Sequence, residues 1–135
     1  MTYLLDTNAF SELMREHPKL RAKVSGLSPS DQLIVCTIVH GEIDYGISRL
    51  PTGQRKQDLQ AKAMRLFAGL RCEPVSETAA QHYADIKIAR ERLGLALDEN
   101  DLWIAAVCRD LNVTLVSHDQ SFRQIPGLNV EDWVV

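Results

Sequence analysis

The sequence predicts an α/β fold, a three-layer α/β/α sandwich on a short, mostly parallel sheet. Short apolar runs, Tyr3-Leu4-Leu5, Leu33-Ile34-Val35-Cys36 and Thr114-Leu115-Val116, have the length and unbroken hydrophobicity of strands buried on both faces. Between them lie stretches with the apolar spacing of amphipathic helices, which implies strands joined by helical crossovers. The runs stop at polar residues, Asp6-Thr7-Asn8, Thr37 and Ser117-His118-Asp119, as expected at the strand ends where a parallel sheet gathers its functional groups.

Taken in order, the first strand ends at Asp6, and Asn8 is placed to cap a helix over about 9–15. Pro18 sits at the first turn of another helix that runs to about Gly26, and Ser28-Pro29-Ser30-Asp31 is a loop. After the second strand, Thr37 is placed to cap a helix that carries Ile38, Val39, Glu42, Ile43, Gly46 and Ile47 on one side. Beyond Pro51-Thr52-Gly53 a long polar-rich helix reaches about Leu70, striped by Leu59, Ala63, Leu66, Phe67 and Leu70. Residues 72–75 read as a strand, and a helix from Ser76 or Glu77 runs to about Leu93, where Gly94 stops it. Asp98-Glu99-Asn100-Asp101 then opens a helix that ends at Asn112. After the strand at 114–116, Phe122 and Ile125 sit in a short turn or helix, Pro126-Gly127 is a turn, and a last strand lies near 128–130. Trp133 is expected to pack the C-terminus onto the sheet.

A chain of 135 residues fits one domain, 1–135, with an ordinary globular composition of 45% hydrophobic and 24% charged residues. No apolar run is long enough to span a bilayer and no basic leader precedes the first strand, so a cytoplasmic protein without membrane contact is expected. Cys36, Cys72 and Cys108 form no CxxC pair, which argues against a zinc site or a disulfide frame and makes them expected core residues. The net charge of -3 decides little about nucleic acid, because an acidic site lowers the total while basic residues surround it.

Two acids stand out by position. Asp101 tops the stripe Ile104, Ala105, Cys108 and Leu111, and Glu42 lies four residues from both Ile38 and Gly46, so each carboxylate is expected on an inward face. Capping explains Asp98 as N-cap with Asp101 at the third helical position, where the helix dipole favours negative charge. It gives no reason for an inward carboxylate. Asp6 and Asp119 join the same edge, being at or just past strand ends.

Pairs of such carboxylates at ~4 Å repel by about 4 kcal/mol at an effective dielectric near 20. A few pairs would consume a typical total stability of roughly 5–15 kcal/mol. Protonation, arginines or a hard divalent cation can offset that, and no Arg or Lys lies beside Asp6, Glu42 or Asp119 in sequence. An all-oxygen ligand set favours Mg²⁺, with Mn²⁺ as substitute, over zinc. Such an ion makes an acidic pocket fit for hydrolysis of a phosphate ester by an activated water.

The ordered segments Leu4-Leu5-Asp6-Thr7-Asn8, Thr37-Ile38-Val39-His40-Gly41-Glu42-Ile43-Asp44-Tyr45-Gly46, Asn100-Asp101-Leu102-Trp103-Ile104-Ala105-Ala106, and Pro126-Gly127-Leu128 with Glu131-Asp132-Trp133 resemble PIN-domain proteins, most of all the VapC-type toxins of bacterial toxin-antitoxin pairs. The resemblance covers nearly the whole chain. It implies a Mg²⁺-dependent endoribonuclease that leaves 5′-phosphate and 3′-hydroxyl ends, a homodimer, and a small VapB-type antitoxin that inserts into the active site. Asp6 and Asp101 match the family's principal metal-binding acids and Glu42 the acid on the helix after the second strand. Asp119 matches the fourth acid, where relatives carry a Thr-Asn-Asn or Thr-Asn-Asp run and this chain reads Ser117-His118-Asp119. His118 is a departure, with a surface residue and an RNA contact as its two readings. Asp98 is a candidate supporting acid, and Thr7, Asn8 and Ser117 can orient ligands by hydrogen bonds or serve only in turns and caps.

Lys87, Arg90, Arg92 and Arg15 are candidates to hold RNA phosphates, against the alternative of a solvated helix face. Trp103 points away from the Asp101 stripe, toward a dimer or antitoxin contact. An aspartyl-nucleophile phosphatase would need an acid where Asn8 stands. A phospho-accepting receiver domain would need paired acids at the first strand and a late Lys, and 117–122 contains none. The remaining alternative is a catalytically silent PIN fold that binds nucleic acid or a partner.

Overall fold

The computed structural model describes residues 1–135. Five strands, β1 (Thr2–Leu5), β2 (Gln32–Cys36), β3 (Arg71–Glu73), β4 (Thr114–Val116) and β5 (Val130–Glu131), form one sheet in the order β3-β2-β1-β4-β5. Every neighbouring pair is parallel, with Leu4 opposite Ile34 on one side and Leu115 on the other. Helices α1 (Thr7–Met14), α2 (Pro18–Ser25), α3 (Thr37–Ser48), α4 (Gln54–Ala68), α5 (Ala79–Arg92) and α6 (Glu99–Leu111) connect them, and a 3-10 turn spans Gln120–Gln124. Parallel pairing forces each connection to cross from one end of the sheet to the other, which is why helices cover it. None of these helices is long and apolar enough to cross a membrane.

The strands are short because their apolar runs are short. Leu4, Leu5, Ile34, Val35, Leu115 and Val116 are buried, and they centre a cluster of 26 buried apolar residues. On the flanks, Phe10 of α1 stacks on Phe67 of α4 at 4.3 Å, and Trp133 packs on Tyr3 at 5.0 Å, fixing the C-terminus to the sheet. Helix α5 stops where Gly94 takes φ +68, a conformation that costs a side-chain-bearing residue energy. Asn112 closes α6 in the same left-handed region.

Several local expectations change. Asp6, not Asn8, is the N-cap of α1, accepting from the Ala9 amide at 2.8 Å, and Asn8 lies inside the first turn. Thr37 is the first residue of α3 rather than its cap, and its hydroxyl donates to the Glu73 carbonyl at 3.3 Å. The helix expected from Ser76 or Glu77 begins at Ala79, because Ser76 and Thr78 direct their hydroxyls to Asp110 on α6 at 2.8 and 2.9 Å. Leu111 is exposed at the end of its stripe, and Cys72 is exposed on the edge strand, whereas Cys36 and Cys108 are core.

Candidate active site

The strand order reverses at β1, whose two neighbours are reached by connections running in opposite directions, so a crevice opens at the carboxyl ends of β1 and β4. Asp6 stands at one lip. Its amide donates to the Val116 carbonyl at 3.1 Å and its side chain caps α1, so both backbone and carboxylate are fixed. At the other lip Asp119 follows β4, its amide bound to the Ser117 hydroxyl at 3.0 Å and its carboxylate accepting from Ser121 at 2.9 Å. Helix α3 brings Glu42, which receives the Thr7 hydroxyl at 2.5 Å. The first turn of α6 brings Asp98, its N-cap, and Asp101.

Asp6, Glu42, Asp98, Asp101 and Asp119 therefore line one small pocket of about 150 Å³, together with Thr7, Asn8 and Phe122. Glu42 lies at the border of the α3 core stripe rather than inside it, since Val39, Ile43 and Ile47 take the buried positions.

The crowding shows in the proton affinities. Burial, followed by the charges of Asp98, Glu42, Asp6 and Asp119, pushes the Asp101 carboxyl up to about 7. Asp6 is also raised, by burial above all, although the Ser117 hydroxyl and the Ala9 amide pull the other way. As the side chains stand, no three His, Cys, Asp or Glu groups are close enough to hold a metal ion. The donor chemistry fits one nonetheless: the pocket offers only oxygen ligands, and carboxylates that resist ionisation together are those a hard divalent cation would stabilise.

The basic candidates fare differently. Arg90 is buried, its guanidinium donating to the carbonyls of Ala96 at 3.0 Å and Ser121 at 3.4 Å, so it cannot meet RNA phosphate and instead ties together the loops on either side of the pocket. Lys87 bonds the Tyr83 hydroxyl at 3.1 Å and the Glu99 carboxylate at 3.2 Å, which raises its pKa. Arg15 pairs with Glu12 at 3.0 Å, and Arg92 is exposed at the end of α5. His118 is exposed and bonds Asp132 at 2.6 Å, which anchors the C-terminal tail. Trp103 is half-buried, stacked on Tyr83 at 4.0 Å.

Sequence reasoning missed a second feature. Beside the acidic pocket and sharing Thr7 and Glu42 with it, a cleft of about 510 Å³ runs along α3 past Gly41, Tyr45, Gly46 and Arg49. The spacing 42, 45, 46, 49 is one helical face and was available as a signal.

Comparison with known proteins agrees with this fold. Ribonuclease VapC1 of Haemophilus influenzae is 31% identical over 136 residues, spanning 98% of both chains. The VapBC2 complex of Rickettsia felis, solved on a DNA fragment from its promoter, superposes with a TM-score of 0.90 at 28% identity, covering 98% of this chain and 99% of that one. The VapBC-1 complex of nontypeable H. influenzae superposes with a TM-score of 0.88 at 28% identity over the full length of both. The family model of the PIN domain matches residues 3–128, and the chain belongs to the PIN-domain family.

Proposed function

We propose that the protein is a Mg²⁺-dependent endoribonuclease, the toxin of a toxin-antitoxin pair. The single observation that carries this reading is the gathering of five carboxylates in one pocket at the sheet's reversal point. Full-length similarity to ribonucleases named VapC and to VapBC complexes supports it. Asp6, Glu42, Asp101 and Asp119 would hold the divalent ion. An ion there would supply an activated water and would neutralise charge on the leaving oxygen of a phosphodiester.

The chain's own groups prepare for that. Asp6 is locked by its cap to α1, Thr7 orients Glu42, and Ser117 sets the loop that presents Asp119. Asp98 caps α6 and, by its charge, helps to keep the nearby Asp101 protonated near neutral pH. Loading the site must displace that proton, so divalent affinity rises with pH. The partner is a VapB-type antitoxin that covers the site, and the working form is a cytoplasmic homodimer.

The test is cleavage of end-labelled RNA by purified protein with Mg²⁺, Mn²⁺ or excess chelator. Internal cuts with 5′-phosphate ends are expected with either metal and in neither the chelated sample nor the Asp6→Asn variant. Cutting that survives full chelation would overturn the metal mechanism.

A further inference from the structure

We infer that Tyr45 and Arg49 form a subsite for an unpaired nucleobase and its phosphate beside the acidic pocket. This rests on the nuclease reading above.

Tyr45 is 67% exposed, an unusual placement for a large aromatic, and the Arg49 guanidinium carbon lies 5.6 Å from its ring centre. The pair is held at cation–π distance while the ring stays largely exposed. Arg49 is the only cationic residue in the cleft and stands on the same helical face as Glu42, about 10 Å further along the axis. A phosphate there is matched by a cation, while a phosphate in the pocket itself faces only acids. Gly41 and Gly46 leave the wall bare, since a Cβ at either would meet nothing within 4 Å. Asn100, from the start of α6, adds an amide on the opposite side. The volume of about 510 Å³ falls in the range that holds a small ligand.

Stacking on an aromatic next to an arginine is how unpaired bases are held without sequence readout, and a base inside a duplex does not offer its face. The cleft is continuous with the acidic pocket through Thr7 and Glu42, so a strand threaded through both would place one base on Tyr45 and a neighbouring phosphate at the acids.

The test is an abasic scan. Oligoribonucleotides of one sequence, each lacking a single base, are cleaved by wild type, Tyr45→Phe, Tyr45→Ala and Arg49→Gln. Their binding to the same chains carrying Asp101→Asn is followed by fluorescence anisotropy. Wild type is expected to lose about tenfold in kcat/KM, chiefly through KM, when the base at one position near the cut is missing. Tyr45→Ala should show that loss with the intact oligomer and be indifferent to the missing base, Tyr45→Phe should behave as wild type, and Arg49→Gln should weaken binding with a smaller salt dependence. Equal cutting of duplex and single strand, or a scan that is flat for wild type, overturns the subsite and leaves the nuclease reading standing. Tyr45→Ala that cuts as wild type but loses a co-expressed inhibitory protein makes the cleft a peptide dock and overturns the subsite as well. Failure of wild type to cut any RNA with Mg²⁺ overturns both.

Discussion

Replacing Asp101 by Asn should stabilise the metal-free protein, and by an amount that depends on pH. In the folded chain the carboxyl titrates at about 7 against an ordinary value of 3.8. At about 1.4 kcal/mol per pH unit the difference corresponds to about 4 kcal/mol. Because Asp101 is only half-buried, solvent screening reduces this to about 2 kcal/mol. Between pH 4 and 7 the folded protein holds a proton that the unfolded chain has released, so wild-type stability falls as pH climbs through that window and levels off above it. Asn carries no such penalty. The gap in Tm between variant and wild type should therefore grow from near zero at pH 4 to about 7 °C at pH 8, taking about 3–4 °C per kcal/mol for a chain of this size. Thermal denaturation in chelator across that range measures it. With Mg²⁺ at pH 8 the wild type should gain and the variant should not, closing the gap. A gap that does not change with pH, or a variant less stable than wild type at pH 8, would refute the account of a repulsive acidic pocket.

Other expectations follow from single contacts. Asp98→Ala should cost about 1 kcal/mol by removing the α6 cap, while Asp98→Asn keeps the cap and moves the midpoint of the pH–stability curve to lower pH. Urea titrations at several pH values separate the two effects. Thr7→Val removes the hydrogen bond that holds Glu42 and should lower cleavage roughly tenfold, with Thr7→Ser restoring it; a Val variant of wild-type rate would remove Thr7 from the machinery. Arg90→Ala strands two loop carbonyls and empties a buried site, and should cost about 3 kcal/mol in urea unfolding; a loss under 1 kcal/mol would contradict its role as a tie.

The sheet was legible because its strands are uninterrupted apolar runs, and their order of appearance with intervening helices leaves few topologies. Asp101 and Glu42 stood out in sequence as carboxylates on apolar faces, although Glu42 lies at the border of its stripe. The helix starts were less so, since Asp6, Thr7 and Asn8 are all competent caps and only the tertiary position of β1 selects Asp6. Arg90 misled because a cation in the last turn of a helix reads as a surface charge, and nothing local announces that carbonyls of the following loop and of the distant 3-10 turn will face it. Arg49 went unremarked, and Tyr45 entered only within a longer motif, because the cleft they line is made jointly with α1 and α6, far away in sequence.

The central place of β1 has a consequence for synthesis. This strand, the first of the five in chain order, is flanked by β2 on one side and by a strand that begins only at Thr114 on the other. The backbone of Asp6 is pinned by Val116, and Asp119 comes later still. A growing chain thus has Asp6 long before the bond that fixes it, and the pocket cannot close until Asp119 has been made. Assembly of the acids therefore waits on a contact between residues more than a hundred positions apart, which ties the pocket to completion of the sheet.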